Sequence, residues 1–159
     1  MIDFKELELE EFKKYRNMFV KDYSEDLILN HGYKINESIK IAKNSFQSSF
    51  PNNVPVSTDK VVCIVAASHT VGYLWYSINK SNSKAYICDL FIFDEYRSKG
   101  YGKSAINILE AELSKQSIDY LSLRVAYNNP RALELYKSVG FNVSGYNMSK
   151  RVISSCAET

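Results

Sequence analysis

The period of the apolar positions changes several times along the chain, and each change marks an element. Ile2 to Leu7 alternates, as a half-buried strand does. Leu9, Phe12, Arg16, Phe19, Val20 and Tyr23 then recur at helical spacing, predicting a first helix that runs to about Leu29. Asn30-His31-Gly32 signals a turn, and Ile35, Ile39, Ala42 and Phe46 mark a second helix with Asn36 as its N-cap. The loop Pro51-Asn52-Asn53-Val54-Pro55 closes it. Val61 to Ala67 and Val71 to Asn79 read as a hairpin joined by Ser68-His69-Thr70, with His69 a surface residue. Lys80-Ser81-Asn82-Ser83 turns the chain into a strand from Lys84 to Phe93. A third helix, Lys103 to Lys115, turns Ile106, Leu109 and Leu113 inward. From Tyr120 to Tyr127 alternation is strict, with Leu121, Leu123 and Val125 on one face and Tyr120, Ser122, Arg124 and Ala126 on the other. After a fourth helix, Phe141 to Val152 reads as strand-like, and a polar tail over 153–159 is expected to fray.

Hairpin strands followed by strand–helix–strand and helix–strand predict an α+β layer with one right-handed parallel crossover. The 159 residues suit one domain, placed at 1–152, and a 45% hydrophobic, 24% charged composition is that of a globular chain. A net charge of +2 without a dense Lys/Arg block gives no case for nucleic acid, and Lys13-Lys14 with Lys21 reads as a solvated helix face. No apolar run is long enough for a transmembrane helix, and the first residues lack the pattern of a signal peptide. Cys63, Cys88 and Cys156 are odd in number and widely spaced, with the first two expected as buried thiols. His31 and His69 are too few for a metal site. The expectation is a cytoplasmic, reduced, metal-free protein, monomer or homodimer, away from membranes.

Candidate chemistry begins at Tyr96-Arg97-Ser98-Lys99-Gly100-Tyr101-Gly102-Lys103, between a strand pattern and a helix pattern. Two glycines one residue apart allow a tight turn, and the following helix aims unpaired N–H groups and its positive dipole end into the loop. Such a loop cradles phosphate oxygens, although the same residues serve equally as a left-handed turn at a strand–helix junction. The spacing is neither Walker A nor G-x-G-x-x-G.

A second motif starts 27 residues after Gly102, running from Asn129-Pro130-Arg131-Ala132 to Gly140-Phe141 and reading N-x-x-A-x-x-L-Y-x-x-x-G-F. Asn129 suits an N-cap and Pro130 the first helical position. Ala132, Leu135, Tyr136 and Val139 share a face, and Gly140 ends the helix in the left-handed region. The two motifs in this order resemble the GNAT superfamily of acyl-CoA N-acyltransferases, specifically over residues 84–152 and elsewhere by element order.

The resemblance implies a central twisted mixed sheet of six or seven strands in the order βααβββαβαβ. It further implies a splay between strands four and five and helices on both faces; Ser144-Gly145 is the candidate break between two terminal strands. The implied activity is transfer of an acetyl group from acetyl-CoA (coenzyme A) to a primary amine of a small molecule or peptide. A non-catalytic CoA-binding sensor or scaffold module is the alternative. By the resemblance, the backbone of Leu90, Phe91 and Ile92 would hold the pantetheine arm, and Arg97, Ser98, Lys99, Gly100, Tyr101, Gly102 and Lys103 the pyrophosphate, with Tyr101 packing under the loop. Asn129 would touch the cofactor arm or serve only as a cap. Tyr136 matches the general acid, and a phenol, protonated at neutral pH, can donate to a leaving thiolate; otherwise it is a core aromatic.

A general base is harder to place, because Tyr86 and Arg124 stand where relatives carry carboxylates. Asp89, the carboxylate within the fourth strand, is the candidate; the alternatives are a pairing with Arg124 or deprotonation through water. The acceptor is expected among Tyr23, Glu25, Asp26, His31, Tyr73 and Trp75. Asp22 and Asp26, four apart on one helix face, suit a cationic amine or simply a solvated face.

Overall fold

The computed structural model describes residues 1–152, so the polar tail expected at 153–159 lies outside the described residues. Strands β1 (Ile2–Glu6), β2 (Asp59–Ala66), β3 (His69–Asn79), β4 (Lys84–Ile92) and β5 (Tyr120–Leu123) form one sheet in chain order. Pairing is antiparallel until β5, which joins β4 in parallel. Helices α1 (Leu9–His31) and α2 (Ile35–Ser49) precede β2; α3 (Tyr101–Lys115) links β4 to β5, and α4 (Pro130–Ser138) follows β5.

β3 lies in the middle and is buried on both faces, so from Tyr73 to Ile78 its residues divide by parity between two cores. Leu74, Tyr76 and Ile78 face α3, where Ile106, Leu109 and Leu113 meet Ile64, Val71 and Ile87. Tyr73 and Trp75 face α1 and α2, where Phe12, Tyr15, Phe46 and Phe50 pack as a cluster of tilted and edge-on rings. Helices on both faces agree with the expectation from the sequence.

Several boundaries differ from the sequence reading, each for a local reason. α1 runs through Asn30 and His31 and stops at Gly32, whose φ of 71° ends the helix while Tyr33 N–H reaches back to Leu27 C=O. α2 begins two residues earlier than an Asn36 cap would allow, with Lys34 at the cap and the Glu37 carboxylate accepting from its N–H. The hairpin turn is Ala67-Ser68, both left-handed, so His69 already pairs with Ala66. On α1, Arg16 is exposed and Tyr15 takes the inward position.

The sheet has five strands among the described residues, and six or seven is corrected accordingly. Residues 141–152 adopt no regular structure and are mostly exposed. Their alternation changes parity at Ser144-Gly145: Phe141 and Val143 occupy odd positions, whereas Tyr146, Met148 and Val152 occupy even ones. No single apolar face remains to fix a register. β5 also ends at Leu123, four residues before its alternation does.

Candidate active site

β4 continues for five residues beyond the point where β5 leaves it, since their ladder ends at Ile87–Leu123 and β4 runs to Ile92. Diverging strands leave unpaired backbone and an open wedge. A cleft of about 780 Å³ occupies this wedge. Leu90, Phe91 and Ile92 form its floor, α1 one wall, α4 the other, and the glycine loop its end. A smaller groove of about 380 Å³ lies beyond β5 against α3 and Phe141, and holds neither Asp89 nor Tyr136 nor any residue of the loop.

The loop end carries the features that an anion site needs. Gly100 sits at φ 81°, and having no side chain it cannot cap α3; no other side chain among the described residues does so. The first intrahelical bond is Ser104 N–H to Gly100 C=O, which leaves the earlier N–H groups of α3 to an outside acceptor. Gly102 is buried, and a Cβ there would stand 3.0 Å from Leu135 Cδ2, so a glycine lets α4 pack close. Arg97 is already engaged, its Nε donating to Ile92 C=O at 2.9 Å and its Nη1 meeting Asp94 at 2.6 Å. Ser98, left-handed at φ 60°, accepts from Arg131 Nη2 at 2.7 Å, which ties α4 to the loop. Lys103 lines the cleft; Lys99 lies outside its lining, with its ammonium 5.4 Å from the Tyr96 ring centre. Tyr101 packs edge-on to Tyr96 while its residue also borders the cleft. These features fit a phosphate-bearing ligand such as coenzyme A.

Asp89 owes its orientation to a bulge. Trp75 pairs with Asp89 and Tyr76 with Ile87, so Cys88 is an extra residue in β4. Two successive side chains, Cys88 and Asp89, therefore turn toward the α1–α2 side. The Tyr15 hydroxyl donates to Asp89 Oδ2 at 2.9 Å across 74 residues of sequence. Asp89 is partly accessible from the cleft, but the protein around its carboxyl removes most of the water. That desolvation pushes the carboxyl up to about 7, against the Tyr15 hydrogen bond and aided by the charge of Asp22. Arg124 is not its partner: Arg124 Nη1 donates to Asp26 Oδ2 at 2.9 Å, and Nη2 donates to His31 Nε2 at 3.1 Å.

Tyr136 lines the opposite wall, buried, with its ring edge-on to Phe141. Burial, with the Asp89 charge adding, pushes its hydroxyl up to about 12, so it stays protonated. Asn129 caps α4, its side chain accepting from Ala132 N–H at 3.0 Å, and also borders the cleft.

The expected acceptor residues divide into two groups. Tyr23, Glu25, Asp26 and Trp75 line the cleft. His31 lies just beyond, joined through Arg124, and Asp26 is already neutralised by that arginine. Tyr73 is outside the lining: it shares a face of β3 with Trp75, but its hydroxyl is covered by α1 and donates to Glu11. Among the described residues, the carboxylates of the α1 wall without a partner are thus Asp22 and Glu25; partial desolvation and the charge of Glu25 raise the pKa of Asp22.

Two residues of this site escaped the sequence reading. Tyr15 lies three after Phe12 and four before Phe19, a spacing that could have placed it inward. Arg131 stands inside the second motif at an unspecified position, and nothing local signals its bond to Ser98.

The family model described as Acetyltransferase (GNAT) family matches residues 17–141. YycN, an uncharacterized N-acetyltransferase of Bacillus subtilis strain 168, is 26% identical over 149 residues, covering 92% of this chain and 96% of its own. The crystal structure of that acetyltransferase superposes with a TM-score of 0.86 over 96% of this chain and 99% of the other. The PaiA N-acetyltransferase of Thermoplasma acidophilum, solved in complex with coenzyme A, shares the fold. Its TM-score is 0.68 at 17% identity, covering 92% of this chain and 93% of its own.

Proposed function

Because the chain belongs to the acetyltransferase (GNAT) family, we propose that it moves an acetyl group from acetyl-CoA to a primary amine of a small molecule or peptide by direct attack. Its fold is the GNAT fold with a mixed five-strand sheet. The observation that carries the activity is the wedge itself. One cleft has an uncapped helix N-terminus at its end, a partly desolvated carboxylate on one wall and a protonated phenol on the other.

The bound cofactor supplies an activated thioester, and the remaining work falls to this chain. The first-turn N–H groups of α3, with Lys103 and Arg131, hold the phosphates. The exposed backbone of Leu90, Phe91 and Ile92 holds the arm and offers an N–H to the charge that develops on the carbonyl oxygen. Asp89, whose carboxyl sits at about 7, is ionised in half the molecules near neutrality and accepts the amine proton. Tyr136 donates its proton to the departing sulfur. One proton enters Asp89 and one leaves Tyr136, and exchange with water in the cleft resets both.

Release of free thiol from acetyl-CoA, measured against polyamines, amino acids, aminoglycosides and peptide N-termini, tests this reading. Turnover with any of them supports it. Tight binding of acetyl-CoA without turnover across the panel would instead favour a CoA-binding sensor or scaffold.

A further inference from the structure

We propose that Tyr15 is the positioning residue for Asp89, its hydroxyl holding one carboxylate oxygen so that the other is presented to the cleft. This rests on the reading of Asp89 as proton acceptor.

Tyr15 is completely buried, its ring held by Phe19, Phe46 and Tyr73 at centroid distances of 6.3, 6.1 and 5.2 Å. A phenylalanine would fill the same space, and a buried phenol needs a partner to be tolerated. The partner here is a carboxylate that borders the cleft. The bulge at Cys88 is what turns Asp89 toward α1, so strand irregularity and helix register converge on a single 2.9 Å bond.

The surroundings make that bond decisive. From α1, Asp89 is faced by Tyr15 and by Asp22, whose charge opposes its own ionisation. Its own strand contributes the Cys88 thiol and the Leu90 N–H, α4 contributes the Tyr136 hydroxyl, and β3 places the uncharged Trp75 opposite. The Arg124 guanidinium is taken by Asp26 and His31. Among the described residues, Tyr15 is therefore the only side chain that donates a hydrogen bond to Asp89. A fixed donor to the charged form restrains rotation of the carboxylate and keeps its titration near neutrality despite desolvation.

The test is a carbon-13 NMR titration of aspartate carboxyls in the wild type and in Tyr15→Phe, with Asp89→Asn identifying the signal. Loss of a hydrogen bond to a charged group should move the Asp89 midpoint upward by about one to two pH units. Replacing Tyr15 with 3-fluorotyrosine, a stronger donor of nearly the same shape, should move it downward, and this second variant does not rely on Tyr15→Phe folding well. A midpoint that stays put in either variant overturns the proposal, whatever the melting temperature does, because packing alone would alter only stability. With an acceptor identified by thiol release, the acidic limb of kcat/KM should follow the NMR midpoint. A midpoint that moves while the limb does not would leave Tyr15 as the holder of Asp89 and remove Asp89 as proton acceptor.

Discussion

Asp89→Asn should abolish a specific part of the protein's pH-dependent stability. The carboxyl titrates at about 7 in the folded chain against an ordinary value of 3.8, with desolvation the leading cause. Between those values the folded state binds more protons than the unfolded state, so stability falls as pH rises. The contribution of the protonated carboxyl is fully present below about pH 3.8 and is lost as pH passes through about 7. A rise of roughly three pH units, at 1.36 kcal/mol each, corresponds to about 4 kcal/mol, a ceiling because water reaches the group from the cleft. Asparagine does not titrate, yet its amide oxygen still accepts from Tyr15, so the hydrogen bond and the volume are kept. Urea unfolding at unit steps from pH 4 to pH 8 provides the measurement. The stability of Asp89→Asn relative to wild type should climb by up to about 4 kcal/mol across this range, chiefly between pH 4 and 7, at constant m-value. Two curves that run parallel would refute the reasoning, since a carboxyl that costs nothing to ionise in place is not desolvated. A wild type less stable than this variant at neutral pH would fit a residue kept for function at the expense of stability.

Other perturbations separate the remaining parts of the site from the scaffold. Acetyl-CoA at about 100 times its dissociation constant should stabilise the wild type by roughly 2.7 kcal/mol in thermal shift. Gly100→Val, at φ 81°, and Gly102→Val, against Leu135, should each remove that response; an unchanged melting temperature for the wild type with saturating acetyl-CoA would remove the cofactor claim. Tyr136→Phe keeps the ring on Phe141, so acetyl-CoA affinity should hold while kcat falls about tenfold or more; wild-type turnover would reduce Tyr136 to a packing residue. Phe46→Ala should cost about 3–5 kcal/mol in denaturant unfolding, because Phe46 is 2% exposed among Phe12, Tyr15, Phe19, Phe50 and Trp75; a loss under 1 kcal/mol would mean that the aromatic cluster collapses to fill the space.

What could be read from the chain by itself were features with a local physical cause. Helical spacing in α1 to α3 and alternation in β1 and β5 reflect which residues share a face, and a face is a property of neighbours in sequence. The glycine loop was legible because Gly100 must be left-handed and the N–H groups of α3 must remain uncapped, whatever the rest of the molecule does. Asn129 and Pro130 announced the start of α4 in the same way. Where local pattern misled, a parity break or an end effect was responsible, as at Ser144-Gly145 and at the hairpin turn of Ala67-Ser68.

Partnerships across the fold were decided by tertiary structure. Asp89 was visible as a carboxylate in an apolar strand, but a single extra residue, Cys88, sets which face it takes, and a bulge depends on the neighbouring strand's register. Its partner Tyr15 comes from 74 residues earlier, while Arg124, adjacent in the sequence-level picture of the sheet, goes to Asp26 on α1. Tyr73 shares a face of β3 with Trp75, yet α1 covers it and takes its hydroxyl through Glu11, so only Trp75 borders the cleft. The physical reason is common to all of these. Backbone conformation is governed by forces within a few residues, whereas a hydrogen bond between buried side chains exists only once packing has fixed both ends and excluded water.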